Sequence, residues 1–213
     1  MNRPPTVALM GPPGCGKGTQ ARILAERAGL VHLSSGDIIR ENIRTGTELG
    51  KAFEEAMEKG ELGPTHLVTD MMRDRLIGLA EAGQACVLDG FPRTLQQAEM
   101  LAGLGLPDTV VLFSVTTEEV VRRISGRLSC ACGAVYHKTD APPKKPDVCD
   151  RCDGALFSRP DDEEATVRVR MDEYTGQTLP LLDYYRRAGK LVEIDGAASP
   201  DEVTGRIMSA LDL

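Results

Sequence analysis

Gly11-Pro12-Pro13-Gly14-Cys15-Gly16-Lys17-Gly18-Thr19 is the stretch whose residue types and spacing point most directly to chemistry. Glycines let the backbone N–H groups turn inward on one point, and a helix starting just after adds the partial positive charge of its N-terminus. Lys17 supplies a mobile full charge. Together these make a cradle for phosphate oxygens. The stretch departs from the G-x-x-x-x-G-K-[ST] pattern in one place: Gly18 follows the lysine, and the hydroxyl comes one position later on Thr19.

A second constellation lies between Arg127 and Arg159, where helical periodicity stops and Pro142, Pro143 and Pro146 appear. It holds Cys130-Ala131-Cys132 and Cys149-Asp150-Arg151-Cys152. Four thiolates in two close pairs suit a closed, tetrahedral structural zinc site, although the first pair is one residue tighter than the usual C-x₂-C. A segment of about thirty residues buries little core, so a metal staple is physically sensible; the alternative is four free or partly oxidised thiols. Cys15 and Cys86 sit in glycine-rich or apolar surroundings and read as small core residues.

The elements that position these groups alternate. Apolar runs predict strands at Thr6–Met10, Leu30–Leu33, Ala85–Leu88, Thr109–Val115 and Leu191–Ile194. Helical spacing predicts helices over Gln20–Ala28, from Ile38 through Ile43, Glu48–Lys59, Thr65–Glu81, Thr94–Leu104, Glu118–Ser125, Asp161–Tyr174 and Leu179–Ala188, with a last helix after Ser199. Ser35 or Asp37 would cap the second helix and Thr65 the fourth, while Thr116/Glu119 and Ser199/Glu202 read as capping boxes. Strands separated by helices imply an α/β fold, a doubly wound five-stranded parallel sheet. Lys17 and Asp89 would then both lie at carboxyl ends of strands, facing one crevice. Two short helices without a strand between them, before the Gly60–Pro64 loop, suggest a mobile flap.

At 213 residues with a formal net charge of −7, the chain suits one α/β domain carrying an insertion and argues against a nucleic-acid surface. No apolar run reaches membrane-span length, and Met1–Pro5 is too short and polar for a signal peptide, so a cytoplasmic protein with no membrane partner is expected. Any charge for a polyanionic ligand must be local, in arginines gathered into one cleft. His32, His66 and His137 are scattered and read as surface or satisfied side chains.

Several stretches together resemble the adenylate kinases of the bacterial long-lid, four-cysteine type. They are Gly11–Gln20, Ser34-Ser35-Gly36-Asp37-Ile38-Ile39-Arg40, Leu88–Arg93 with Gln97, Arg122–Arg127, Cys132–His137, and Arg159-Pro160-Asp161-Asp162 with Arg170. The resemblance implies a reversible transfer of the γ-phosphoryl of MgATP to AMP, giving two ADP, in a P-loop NTPase-type core over 1–34, 65–126 and 161–213. It also implies an AMP-binding flap over 35–64 and a lid over 127–160.

Carried over residue by residue, the loop amides of Gly14, Cys15, Gly16, Gly18 and Thr19 with Lys17 would hold the ATP phosphates. Arg123, Arg127 and Tyr136 would also serve ATP. Arg40 and Arg93 would hold the AMP phosphate beside Gly90, Ser35 and Gln97 would contact the AMP nucleoside, and Arg159 and Arg170 would clamp the transferring group. Asp89 would orient the water shell of Mg²⁺. The family habit is a monomer. Arg168, four residues after Glu164, reads instead as a helical ion pair. Two features depart from the family: Ser35 stands for the commoner threonine, and Glu61-Leu62-Gly63-Pro64-Thr65 differs from the usual apolar-Val-Pro-Asp stretch. A pyrimidine monophosphate kinase, or a P-loop switch with a partner-binding knuckle, are the rival readings.

Overall fold

The computed structural model describes residues 5–213; residues 1–4, the start of the expected core and of the stretch weighed as a signal peptide, lie outside it. Five parallel strands form the main sheet: β1 (Thr6–Met10), β2 (Val31–Ser34), β3 (Cys86–Asp89), β4 (Thr109–Ser114) and β8 (Leu191–Asp195), in the order β2-β3-β1-β4-β8. The expected strands are all present, shifted by a residue at some ends.

Period-two alternation sorts the sheet residues into two cores. Ala8, Met10, Leu88, Val110 and Leu112 face one side, with α2 (Ser35–Arg44), α3 (Glu48–Lys59), α4 (Thr65–Glu81), α5 (Leu95–Gly103) and α8 (Leu181–Arg187) contributing to that cluster. Val7, Leu9, Val87, Val111 and Phe113 face the other, where α1 (Lys17–Ala28) and α9 (Pro200–Leu211) supply Leu24 and Ile207. The chain leaves β1 toward β2 but leaves β3 toward β4, on opposite sides of the adjacent pair β1 and β3. The crevice above their carboxyl ends is the switch point where open α/β sheets bind ligands.

Between α6 (Thr117–Ser125) and a 3₁₀ turn at Pro160–Asp162 the chain builds a separate antiparallel sheet. Its strands are β5 (Arg127–Cys130), β6 (Val135–His137) and β7 (Leu156–Phe157), in the order β6-β5-β7. These short strands carry no periodic signal. Their small cluster of Leu128, Cys130, Cys149 and Leu156 is separate from the cores of the main sheet.

Several helix ends differ from the sequence reading. Ser34, not Ser35 or Asp37, caps α2, its hydroxyl accepting from the Asp37 N–H at 3.2 Å. Pro64 holds the cap position of α4, and Thr65 is that helix's first residue, without a side-chain cap bond. Thr116 caps α6, but Glu119 turns to Arg122 and Arg123 instead of closing the box. Ser199 and Glu202 form the full capping box on α9.

The helix expected over Asp161–Tyr174 is divided, because Glu163 is extended between the Pro160–Asp162 turn and α7 (Glu164–Glu173). Tyr174–Thr178 then continues from α7 as a π-helical stretch, a form frequent at functional sites.

Candidate active site

The loop after β1 lies at the switch point. Gly16, at φ 104° in the left-handed region, caps α1 and turns the chain so that Lys17 begins the helix. The Lys17 ammonium donates to the carbonyls of Gly11 at 2.7 Å and Pro12 at 2.8 Å. Gly18, the departure from the phosphate-loop pattern, has a local cause. A Cβ there would stand 3.2 Å from Oδ2 of Asp89, so the carboxylate at the end of β3 crowds the space a Ser or Thr would use.

Around this loop, Lys17, Arg40, Arg93, Arg123, Arg127, Arg159 and Arg170 line one cavity of about 740 Å³, which Asp89, Gly90 and Tyr136 also line. Each cation is held by a named partner. Arg123 donates to the carbonyl of Cys15 at 3.3 Å and to Glu119 at 2.6 Å. Arg122 also reaches the cavity wall, but its head group pairs with Glu119 and Asp140. Arg127 is held by Asp162, Arg159 donates to the Ser129 hydroxyl at 2.8 Å, and Arg170 binds the Asp161 carboxylate at 2.9 Å. Arg40 is held by Asp37, which also faces Arg22 at 3.6 Å.

Ser35 and Gln97 stand behind the wall instead of on it. Ser35 is 3% exposed and Gln97 4%, and both act on the turn that follows β3. The Ser35 hydroxyl donates to the Gly90 carbonyl at 2.8 Å, and Oε1 of Gln97 accepts from the Arg93 N–H at 2.7 Å. From the π-helical stretch, Thr178 donates to the Arg93 carbonyl at 3.0 Å. The guanidinium of Arg93 also donates back to Gly90 at 2.8 Å, so this turn is pinned from three sides.

The electrostatics record the crowding. Arg93 opens onto the cavity yet is enclosed by its walls; burial, then repulsion from Arg170, lower its pKa to about 10. Burial and the charges of Arg40 and Arg127 bring Arg159 to about 10 as well. Burial lowers Arg170 despite Asp161. Burial is also the largest single effect on Arg127, but the hydrogen bond and charge of Asp162, with the charges of Asp161 and Asp37, together outweigh it and raise Arg127.

The carboxylates respond in the opposite sense. Burial alone would raise each of them, yet Asp37 is held low by Arg40, Asp89 by its His32 hydrogen bond and the charge of Lys17, and Asp161 by Arg170. A carboxyl whose folded pKa is depressed contributes stability that is complete above its unfolded value, 3.8 here, and lost as pH falls through the folded value. The melting temperature is therefore expected to be level between about pH 7 and 5 and to fall below about pH 4. Thermal melts across that range check this, and a fall already complete at about pH 5 would contradict it.

The sequence reading assigned no site role to His32, Asp37, Asp161 or Asp162. His32 Nε2 lies 3.3 Å from Asp89 Oδ2, a contact made possible because β2 neighbours β3. Strand order is not written in local periodicity, so that pairing had no local signal. The acidic pair after Arg159 and Pro160 was visible, but its role as arginine partner needs Arg127 and Arg170, brought in from other elements. Arg168 pairs with Glu164 at 2.7 Å on an exposed face, as expected.

In the antiparallel insert, the sulfurs of Cys130, Cys132, Cys149 and Cys152 all lie within 4.8 Å of one another. Cys130 and Cys152 are 3.4 Å apart and Cys132 and Cys149 3.6 Å. Tetrahedral Zn–S bonds of about 2.3 Å place sulfurs about 3.8 Å apart, so the tight C-x-C pair still fits such an ion. Tyr136 joins the two sites: it lines the cavity, while its hydroxyl lies 3.5 Å from Cys149 Sγ and accepts from the Asp150 N–H at 2.8 Å.

A glycine-rich phosphate loop at the switch point of a five-stranded parallel sheet, ringed by arginines and partly covered by an insert, defines a P-loop nucleotide kinase. A family model for adenylate kinase matches residues 9–190. The chain is 47% identical over 210 residues to an adenylate kinase of Methanosarcina barkeri, covering 96% of this chain and 97% of that protein. It is 46% identical over 210 residues to one of Archaeoglobus fulgidus, covering 96% of each, and 44% over 209 residues to one of Caldicellulosiruptor saccharolyticus, covering 95% of this chain and 97% of that one. The chain belongs to the adenylate kinase family.

Proposed function

We propose that this cavity carries out the reversible transfer of the γ-phosphoryl of MgATP to AMP, giving two ADP, and that its residues divide the work as follows. The observation that carries the reading is the convergence of Lys17 and eight arginines on one cavity at the strand switch point. Phosphoryl transfer requires little covalent help; it requires two polyanions held in line while their charge is neutralised. Arginine suits this because its planar fork binds phosphate oxygens in pairs and stays charged near neutral pH, even where burial lowers Arg93 and Arg159 to about 10.

ATP lies over the loop, its phosphates on the amides of Gly14 through Thr19 and on Lys17, with Arg123, Arg127 and Tyr136 on its flank. AMP lies at the Arg40–Arg93 end beside Gly90, and Ser35 and Gln97 act there by holding the turn that presents Gly90 and Arg93. Arg159 and Arg170 grip the group in transit. Asp89, kept ionised by His32 and Lys17, would orient the water shell of the Mg²⁺ that accompanies ATP. Residues 35–64 act as an acceptor flap and 127–160 as a lid excluding water, against a core of 1–34, 65–126 and 161–213. The four cysteines hold a structural zinc. No described helix is long and apolar enough to cross a membrane, and the reading is of a cytoplasmic monomer.

The test is transfer from MgATP to AMP, UMP, CMP and GMP side by side, with a no-acceptor control. A strong preference for AMP is expected. Slow hydrolysis indifferent to every acceptor would sink the reading.

A further inference from the structure

The segment between α3 and α4 forms one wall of the cavity, through Gly60 and Leu62. It is clamped at both ends. A Cβ on Gly60 would stand 2.8 Å from the Thr166 carbonyl of α7, and one on Gly63 would stand 2.2 Å from Cδ1 and 2.4 Å from Cε1 of Phe53. Real side-chain contacts do not come so close, so the Phe53 ring fills the volume that any side chain at position 63 would occupy. Phe53 comes from the middle of α3, is 2% exposed, and belongs to the same core cluster as Ile39 and Val68. Gly63 lies in the stretch that departs from the family pattern, and Phe53 is the physical counterpart of that departure.

Resting on the assignment of the acceptor to the Arg40–Arg93 end, we propose that Phe53 is a specificity-determining residue for the acceptor base. Its ring, pressed on the main chain of Gly63, sets where the Leu62 wall stands and so how large a base that end admits. Position 63 contributes no side chain, so this wall offers Leu62 and main chain. Selection along it works by shape, and shape is set from behind by a ring that cannot yield without repacking the core.

The experiment uses Phe53→Ala, Gly63→Val and the double variant in the full chain, measuring KM and kcat with AMP and GMP, KM for ATP, and thermal unfolding. Gly63→Val is expected to raise KM for AMP about tenfold with KM for ATP unchanged, because the new methyls meet the ring and push the loop away from it, into the cavity. Phe53→Ala is expected to lower the AMP-over-GMP preference about tenfold by letting the wall recede. The double variant, which exchanges large and small across the contact, is expected to return KM for AMP to within about threefold of the parent. If Phe53→Ala does not fold, Phe53→Leu is read in its place.

Unchanged acceptor constants in both single variants would overturn the inference. So would equal losses toward AMP and ATP in step with melting temperature, or a double variant equal to the product of the singles. A parent enzyme that used no monophosphate would overturn the acceptor assignment instead; a parent that used AMP with indifferent variants would overturn only this inference.

Discussion

Replacing Lys17 with methionine is expected to lower kcat for phosphoryl transfer by about a thousandfold, ~4 kcal/mol of transition-state stabilisation, while melting temperature changes little. Methionine keeps the length and apolar stem and removes only the charge. The hydrogen-bond partners of Lys17 in the structure are the carbonyls of Gly11 and Pro12 and the sulfur of Cys15. Those neutral acceptors orient the ammonium without cancelling it, so its full charge remains for oxygens on which negative charge shifts during transfer. Little fold stability depends on it, since the loop is shaped by its glycines and by the α1 N-terminus. Steady-state rates at saturating MgATP and AMP, with thermal melts of both proteins, provide the check. A variant with normal kcat and only a raised KM for ATP would reduce Lys17 to ground-state docking.

The second large effect is expected at the cysteines. The protein should carry one tightly held zinc per chain by elemental analysis, and stripping it, or replacing Cys149 by serine, should lower the melting temperature by about 10 °C. The insert's own buried cluster is four side chains, two of them metal-ligand candidates, so little else closes it. The effect should extend to catalysis. Arg127 begins β5 and Arg159 follows β7, both lining the cavity, and Tyr136 spans from cavity to Cys149. Loss of the staple thus loosens three groups that line the cavity. A metal-free protein that melts at the same temperature as the parent would refute the structural role.

Where a property of the chain is local, the sequence displays it. The glycine loop, the apolar strands, the Ser199–Glu202 box and the Arg168–Glu164 pair all depend on neighbours within a few residues, and the structure has them. The boundaries that moved are equally informative. Adjacent Ser34 and Ser35 have the same chemistry, and only the exact helix start decides which caps and which reaches Gly90. Three things were not legible. Strand order put His32 beside Asp89; the insert's strands are too short for a period of two to show; and the acids holding Arg127 and Arg170 reveal that duty only when separate elements meet. The π-helical stretch is hidden for a related reason, since its register is set by what Thr178 reaches, not by a residue preference of its own.

The repulsion that Arg93, Arg159 and Arg170 meet from neighbouring arginines, Arg40 among them for all three, gives the protein a property usually credited to solvent. Any small oxyanion that enters the cavity relieves that repulsion and favours the folded state through its occupancy. The melting point of this enzyme therefore belongs partly to its buffer: phosphate or sulfate will make it look sturdier than chloride does.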